Sequence, residues 1–249
     1  AVSLSAFAAP PNIIYILVDD LGYGDLGCYG QKMIKTPHID RMAAEGIKFT
    51  RHYAGSTVCA PSRCVLMTGL HTGHCRVRGN DPWIIPDSDV TVPGFLKAAG
   101  YQTACVGKYG LGKPLPLNDP ERKGFHEFYG YVGTSHAHNF YTKAIITNGN
   151  ITPLPNTVIE GTQKNAADYL DADFTGSGVA PLDGRKQWVP QLCSNEVRRI
   201  ITERSRDKTK PFFLYYALNV PHTNNEAGKD SPLGHGMECP NYGEFMNKD

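Results

Sequence analysis

Asn12-Ile13-Ile14-Tyr15-Ile16-Leu17-Val18 is an unbroken apolar run that ends in Asp19-Asp20 and passes into Leu21-Gly22-Tyr23-Gly24-Asp25. A continuous run rich in Ile and Val, bounded by turn residues, reads as a central strand buried on both faces; a surface strand would alternate. Two acids at its end, with glycines behind them, place carboxylates where the sheet meets its loops. Pro211 to Asn219 (PFFLYYALN) repeats the pattern and leads into Val220-Pro221-His222. These two segments are expected to be neighbouring central strands. Between them, Thr36-Pro37-His38-Ile39-Asp40 opens a helix with Pro in its first turn, and Gly46 stops it. Ile47 to Tyr53 alternates like a strand. A short helix should start near Pro61 and end at Gly69, and another should run from Val92 to Ala99 before Gly100. Tyr101 to Val106 reads as a strand leading into Gly107-Lys108. Lys113 to Gly184 reads only as loop-rich with short strands, and Gln191 to Arg204 as a helix with Leu192, Val197, Ile200 and Ile201 as its apolar stripe. Strands alternating with helices indicate an α/β sheet domain. Such sheets place ligands at strand carboxyl ends, and Asp19, Asp20, Lys108 and His222 all follow expected strands.

Working outward, the 249 residues carry 25 Lys+Arg against 24 Asp+Glu. That balance argues against a dedicated nucleic-acid binder, which carries a basic excess. The hydrophobic fraction of 41% supports a sizeable core, and no apolar run approaches the ~20 residues of a membrane span. The seven cysteines contain no CxxC and no zinc-finger spacing, and are too sparse for a disulfide scaffold. Most read as buried, inert thiols. The basic run from Arg198 to Lys210 is interleaved with Glu203 and Asp207 and reads as a solvated helix face. Val2 to Ala9 is small and apolar, and Ala6-Phe7-Ala8 resembles a signal-peptidase site. Residues 1–11 are therefore expected to be a signal-peptide remnant or a disordered N-terminus, and the protein to be exported, periplasmic or secreted.

Cys59-Ala60-Pro61-Ser62-Arg63 carries the sharpest chemistry. A cysteine at a helix start is electrostatically primed as a nucleophile, and Arg63 lies one turn on. A cysteine phosphatase would wrap backbone N–H groups around its phosphate, and Pro61 removes one of them. The segment, with Leu66-Met67-Thr68-Gly69 behind it, closely resembles the active-site signature of the sulfatases. Further segments match that family in order: the strand ending Asp19-Asp20 with GYGDLGCYG, TPHIDRMAAEGIKFTRHY, GYQTACVGK around Lys108, and FFLYYALNVPH ending at His222.

The resemblance implies an α/β, alkaline-phosphatase-like sandwich with a mostly parallel central sheet flanked by helices. It implies hydrolysis of sulfate esters, aryl sulfates or sulfated carbohydrates. Cys59 would be oxidised to formylglycine by a maturation enzyme, and its gem-diol would attack sulfur. Asp19, Asp20 and residue 59 would hold Ca²⁺, with Mg²⁺ as the alternative ion. Arg63 would position residue 59, Lys108 would bind sulfate oxygens, and His222 would stand near the sulfate or the leaving oxygen. Taken singly, each residue has a plainer reading: a turn acid, a surface lysine, a buried thiol, a loop histidine.

Two departures stand out. Many sulfatases carry GKWH, whereas here Gly107-Lys108-Tyr109-Gly110 puts Gly110 at the position of that histidine. Its role is left to His222, to a histidine of Ser135-His136-Ala137-His138, or to a group elsewhere; on a strand, His136 and His138 would share a face. The family's later Asp-Asn metal ligands also have no counterpart after His222. Residues 12–249 are therefore expected to be the N-terminal catalytic portion of a sulfatase, with the C-terminal part missing. Two other readings remain: a phosphatase or phosphodiesterase of the same superfamily, and a sulfatase-like binding protein without turnover.

Overall fold

The computed structural model describes residues 10–80, 84–111, 117–160, 178–225, 236 and 238–245. The candidate signal segment therefore lies almost wholly outside the described residues. The opening apolar run forms β1 (Ile13–Asp19), and the second forms β8 (Phe212–Pro221). They pair in parallel, Ile13 opposite Phe213 through Val18 opposite Leu218. The register shifts between Val18 and Asp19, a bulge-like irregularity that re-aims the chain as it leaves the sheet.

β8 lies between β1 and β2 (Gln102–Lys108), and β3 (Glu127–Tyr131) extends the parallel set beside β2. β4 (Ala144–Thr147) and β5 (Asn150–Pro153) add antiparallel strands, so the sheet order is β1-β8-β2-β3-β4-β5. β6 (Ile159–Glu160) and β7 (Gly178–Val179) make a separate two-stranded ribbon. The helices are α1 (Pro37–Glu45), α2 (Cys59–Thr68), α3 (Val92–Ala98), α4 (Asp119–Arg122) and α5 (Val189–Arg204). Side-chain alternation on β8 divides the core. Phe213, Tyr215 and Ala217 pack with Cys64 and Met67 of α2, and Phe212 and Leu214 pack with Val189, Cys193, Val197 and Ile200 of α5. Helices on both faces of a mostly parallel sheet are the expected α/β architecture.

Three expectations are corrected. β1 is not central: among the described residues it ends the sheet, with Ile14, Tyr15 and Ile16 exposed. Apolar continuity reports a strand's demand for cover, and that cover is not supplied by the described residues. Ile47 to Tyr53 is not a strand, and Ile47, Phe49 and Tyr53 are exposed. Alternation makes a strand only where a partner ladder exists. Ser135–His138 is a single 3₁₀ turn, so its histidines do not share a strand face.

Candidate active site

α2 begins at Cys59 itself, behind the extended residue Val58. Ala60 N–H is held by Asn80 Oδ1 at 3.1 Å, which anchors the first turn. The helix closes on Gly69 at φ 68°, as the Gly stop signal required. One turn into α2, Arg63 is buried and forks across the sheet ends. Its Nη2 donates to Asp19 Oδ1 at 3.1 Å, and its Nη1 donates to the Lys108 carbonyl and to Tyr215 Oη, the latter at 3.3 Å.

Lys108, the last residue of β2, is fully buried. Its Nζ donates to Asp19 Oδ2 at 2.6 Å and reaches Cys59 Sγ at 3.4 Å. One ammonium thus spans the carboxylate at the end of β1 and the sulfur at the start of α2. Asp19 feels burial, which alone would raise its pKa, but the charges of Lys108 and Arg63 outweigh it and hold the carboxyl below its ordinary range. Two buried cations share this one buried carboxylate, which favours negative charge on a group beside Lys108.

In the unmodified chain that group is the sulfur of Cys59. Burial pushes the Cys59 thiol up, but hydrogen bonds from His138 and His222 and the charge of Lys108 bring it down to about 6. His222 sits just past β8. Its Nδ1–H donates to the Thr223 carbonyl at 2.6 Å, which can only accept, so Nε2 is left facing the pocket. Burial pulls its pKa down, while the bond to Cys59 and the charge of Asp19 lift it to a net increase. Asp20 stands at the rim, 61% exposed, with Oδ2 3.5 Å from His222 Nε2. Its φ of 60° is left-handed for a non-glycine residue, a conformation often found at functional sites.

The structure therefore brings Cys59, Arg63, Lys108, Asp19 and His222 into one linked cluster, with Asp20 beside them through His222. It also places His138 there, a residue the sequence flagged only as half of a pair. His136 turns away: its Nε2 meets the Ala144 carbonyl at 2.9 Å, and burial drops its pKa to about 4. The sulfur of Cys59 and one ring nitrogen each of His138 and His222 lie within 4.8 Å of one another, a soft donor set distinct from the hard carboxylates of Asp19 and Asp20. Tyr215 and Asn219 were legible only as strand residues, although both support the site. Among the described residues all seven cysteines are free, and no helix is long and apolar enough to cross a membrane.

A family model described as Sulfatase matches residues 11–234. Arylsulfatase A of Bos taurus is 32% identical over 98% of this chain and 47% of its own length. N-acetylgalactosamine-6-sulfatase of Homo sapiens is 33% identical over 88% of this chain and 41% of its own. The chain thus spans about half the length of the curated relatives it matches. Among solved structures, one from work on glycosaminoglycan metabolism by Bacteroides thetaiotaomicron superposes with TM-score 0.66 at 28% identity, covering 86% of this chain and 52% of that one. Ps i-CgsB bound to k-i-k-neocarrahexaose superposes with TM-score 0.63 at 30% identity, covering 86% and 46%.

Proposed function

The chain belongs to the sulfatase family, and from that premise we propose that it supplies the nucleophile half of a site that hydrolyses sulfate esters. The observation that carries the reading is Lys108 Nζ between Asp19 and Cys59, with two imidazoles on the same sulfur. Residue 59, once oxidised to formylglycine and hydrated, supplies an oxygen nucleophile. The other residues take roles fixed by their placement. Arg63 holds Asp19 and the end of β2 in one register, so the first turn of α2 keeps a constant distance from the strand ends. Lys108 attracts the sulfate oxygens and offsets charge that grows as the S–O bond lengthens. His222, with Nδ1 tied to a carbonyl, presents Nε2 for a proton or a hydrogen bond at the reacting oxygens.

The carboxylates fit a hard divalent cation. Asp19 and Asp20 end β1 with the oxygen donors that Ca²⁺ or Mg²⁺ takes, and the ion would take the place of Lys108 or Arg63 on Asp19, whose two oxygens those cations now hold. Held by Asp19, Asp20 and the oxygen of residue 59, the ion would act as a Lewis acid toward a sulfate oxygen. The substrates in view are aryl sulfates and sulfated sugars. The relatives named N-acetylgalactosamine-6-sulfatase and the structure in complex with k-i-k-neocarrahexaose favour the sugar class.

The test is the protein produced with and without a formylglycine-generating enzyme, assayed on a chromogenic aryl sulfate and on sulfated oligosaccharides. Mass spectrometry of the peptide carrying residue 59 reports conversion. Hydrolysis that tracks conversion and disappears in Cys59→Ala is the expected result. Equal turnover by the Ala variant would remove residue 59 from the mechanism.

A further inference from the structure

Gly110 stands at φ +67°, and a Cβ there would lie 2.9 Å from Cδ and 3.2 Å from Nε of Arg63. That stem cannot yield cheaply. Its guanidinium is pinned to Asp19, Tyr215 and the Lys108 carbonyl, and the side chain is buried throughout. In this chain a side chain at position 110 is therefore strained and would have to displace the Arg63 stem. The pocket nevertheless contains two imidazoles. The His138 ring stacks on His222 at 4.3 Å between centroids and 11° between planes, and one of its nitrogens lies within 4.8 Å of Cys59 Sγ.

The backbone that carries His138 is fixed on both sides. The Ala137 carbonyl accepts from Asn219 Nδ2 at 2.8 Å, and the Asn139 carbonyl accepts from Tyr131 Oη at 3.0 Å. Asn139 Oδ1 also accepts from Tyr141 N–H at 2.8 Å. Two of these supports come from β8 and β3, the strands that flank β2. The 3₁₀ turn of Ser135–His138 is thus registered to the same sheet ends that place Lys108 and His222. This is the support a reactive group needs, since its neighbours leave it one orientation.

We infer that His138 is a catalytic residue of this site, the second imidazole beside residue 59, supplied from the β3–β4 connection where Gly110 supplies none. Its ring stands within 4.8 Å of the reactive atom of residue 59 and, through the stack, holds His222 facing the same atom. His136, two residues earlier, has no part in this, because its ring is turned to Ala144 and Tyr131. The chemistry assigned to His138 rests on the sulfatase reading, whereas its contact with residue 59 does not.

Two measurements on the same variants separate them. His138→Ala and His138→Gln are compared with wild type in the unconverted form, by the rate of Cys59 alkylation with iodoacetamide at pH 7. The converted form is compared by kcat and KM on an aryl sulfate, with circular dichroism as the fold check. Slower alkylation by several-fold and a kcat reduced at least about tenfold, with KM little changed, are expected for loss of a group acting on the nucleophile. Gly110→His in the His138→Ala background should restore neither. An unchanged alkylation rate and unchanged kcat in a folded variant would overturn the inference, as would rescue from position 110. A wild-type protein without sulfatase activity would sink the functional reading, and the alkylation rate alone would then decide the contact.

Discussion

Asp19 accepts from two buried cations at once, and one of them, Lys108, also reaches Cys59 Sγ. The reactivity of the sulfur follows from this arithmetic. A thiol whose folded value is about 6, below the ordinary ~8.5 of a free thiol, favours the thiolate in the native state. The sign is that of a depressed acid: the stabilisation is fully present above the unfolded value and is lost as pH falls through about 6. Iodoacetamide alkylation of unconverted Cys59, followed by peptide mass spectrometry across pH 4–9, should therefore reach half its plateau rate near pH 6. Lys108→Met should move that midpoint upward by removing the nearest positive charge. A wild-type midpoint near the ordinary ~8.5 of a free thiol would mean that the cations and imidazoles do not act on this sulfur. Cys59, Arg63 and Lys108 were legible because local pattern reports them: a helix start, a residue one turn on, a strand end. His138 was not. Its partner His222 lies 84 residues downstream in sequence, and only the fold shows that their rings stack.

At the scale of elements, the sequence resolves those whose signals are local. α2 ends at Gly69 and α3 just before Gly100 because each glycine supplies a left-handed residue. β1 and β8 are neighbours as their matching apolar runs suggested. The position of β1 in the sheet, and the coil at Ile47 to Tyr53, depend on which chain lies opposite, and no local pattern carries that information. The join between β2 and β8 is where element and site meet. Gly107 stands at φ +102°, and a Cβ there would overlap the Ala217 carbonyl oxygen on β8. Backbone on a fully paired strand cannot move aside as a side-chain tip can. Gly107→Ala should therefore destabilise the fold by more than the ~1 kcal/mol typical of a point substitution. It should also displace Lys108, the next residue, from Asp19. Urea unfolding followed by circular dichroism measures the first effect. The alkylation midpoint of Cys59 measures the second, and it should rise. A variant of wild-type stability would show that β2 and β8 are less closely apposed than described.

Over the whole molecule, polar chemistry and apolar surface are segregated. The charged cluster lies at the carboxyl ends of β1, β2 and β8. A cavity of about 560 Å³ lies elsewhere, against the amino-terminal half of β1 and the body of α2 and α3, lined by Ile13, Tyr15, Leu66, Phe95, Phe213 and Tyr215. Beside it Ile14, Tyr15 and Ile16 remain exposed on a strand that ends the sheet among the described residues. An apolar strand with an open ladder is a template for pairing with another chain, and contiguous exposed apolar surface promotes association. The near-zero net charge of +1 adds little repulsion to oppose it. The 249-residue chain should therefore self-associate as its concentration rises. Ile16→Lys places a charge on that edge at a half-exposed position, and should shift the association to several-fold higher concentration. Its effect on unfolding should stay within about 1 kcal/mol, because little buried area is lost. Sedimentation velocity across a concentration series, with the variant run beside the wild type, reads the difference directly. A wild-type chain that stays monomeric throughout, or a variant that associates equally, would show that this edge is not adhesive and that the apolar run of β1 is held by its contacts with β8 alone.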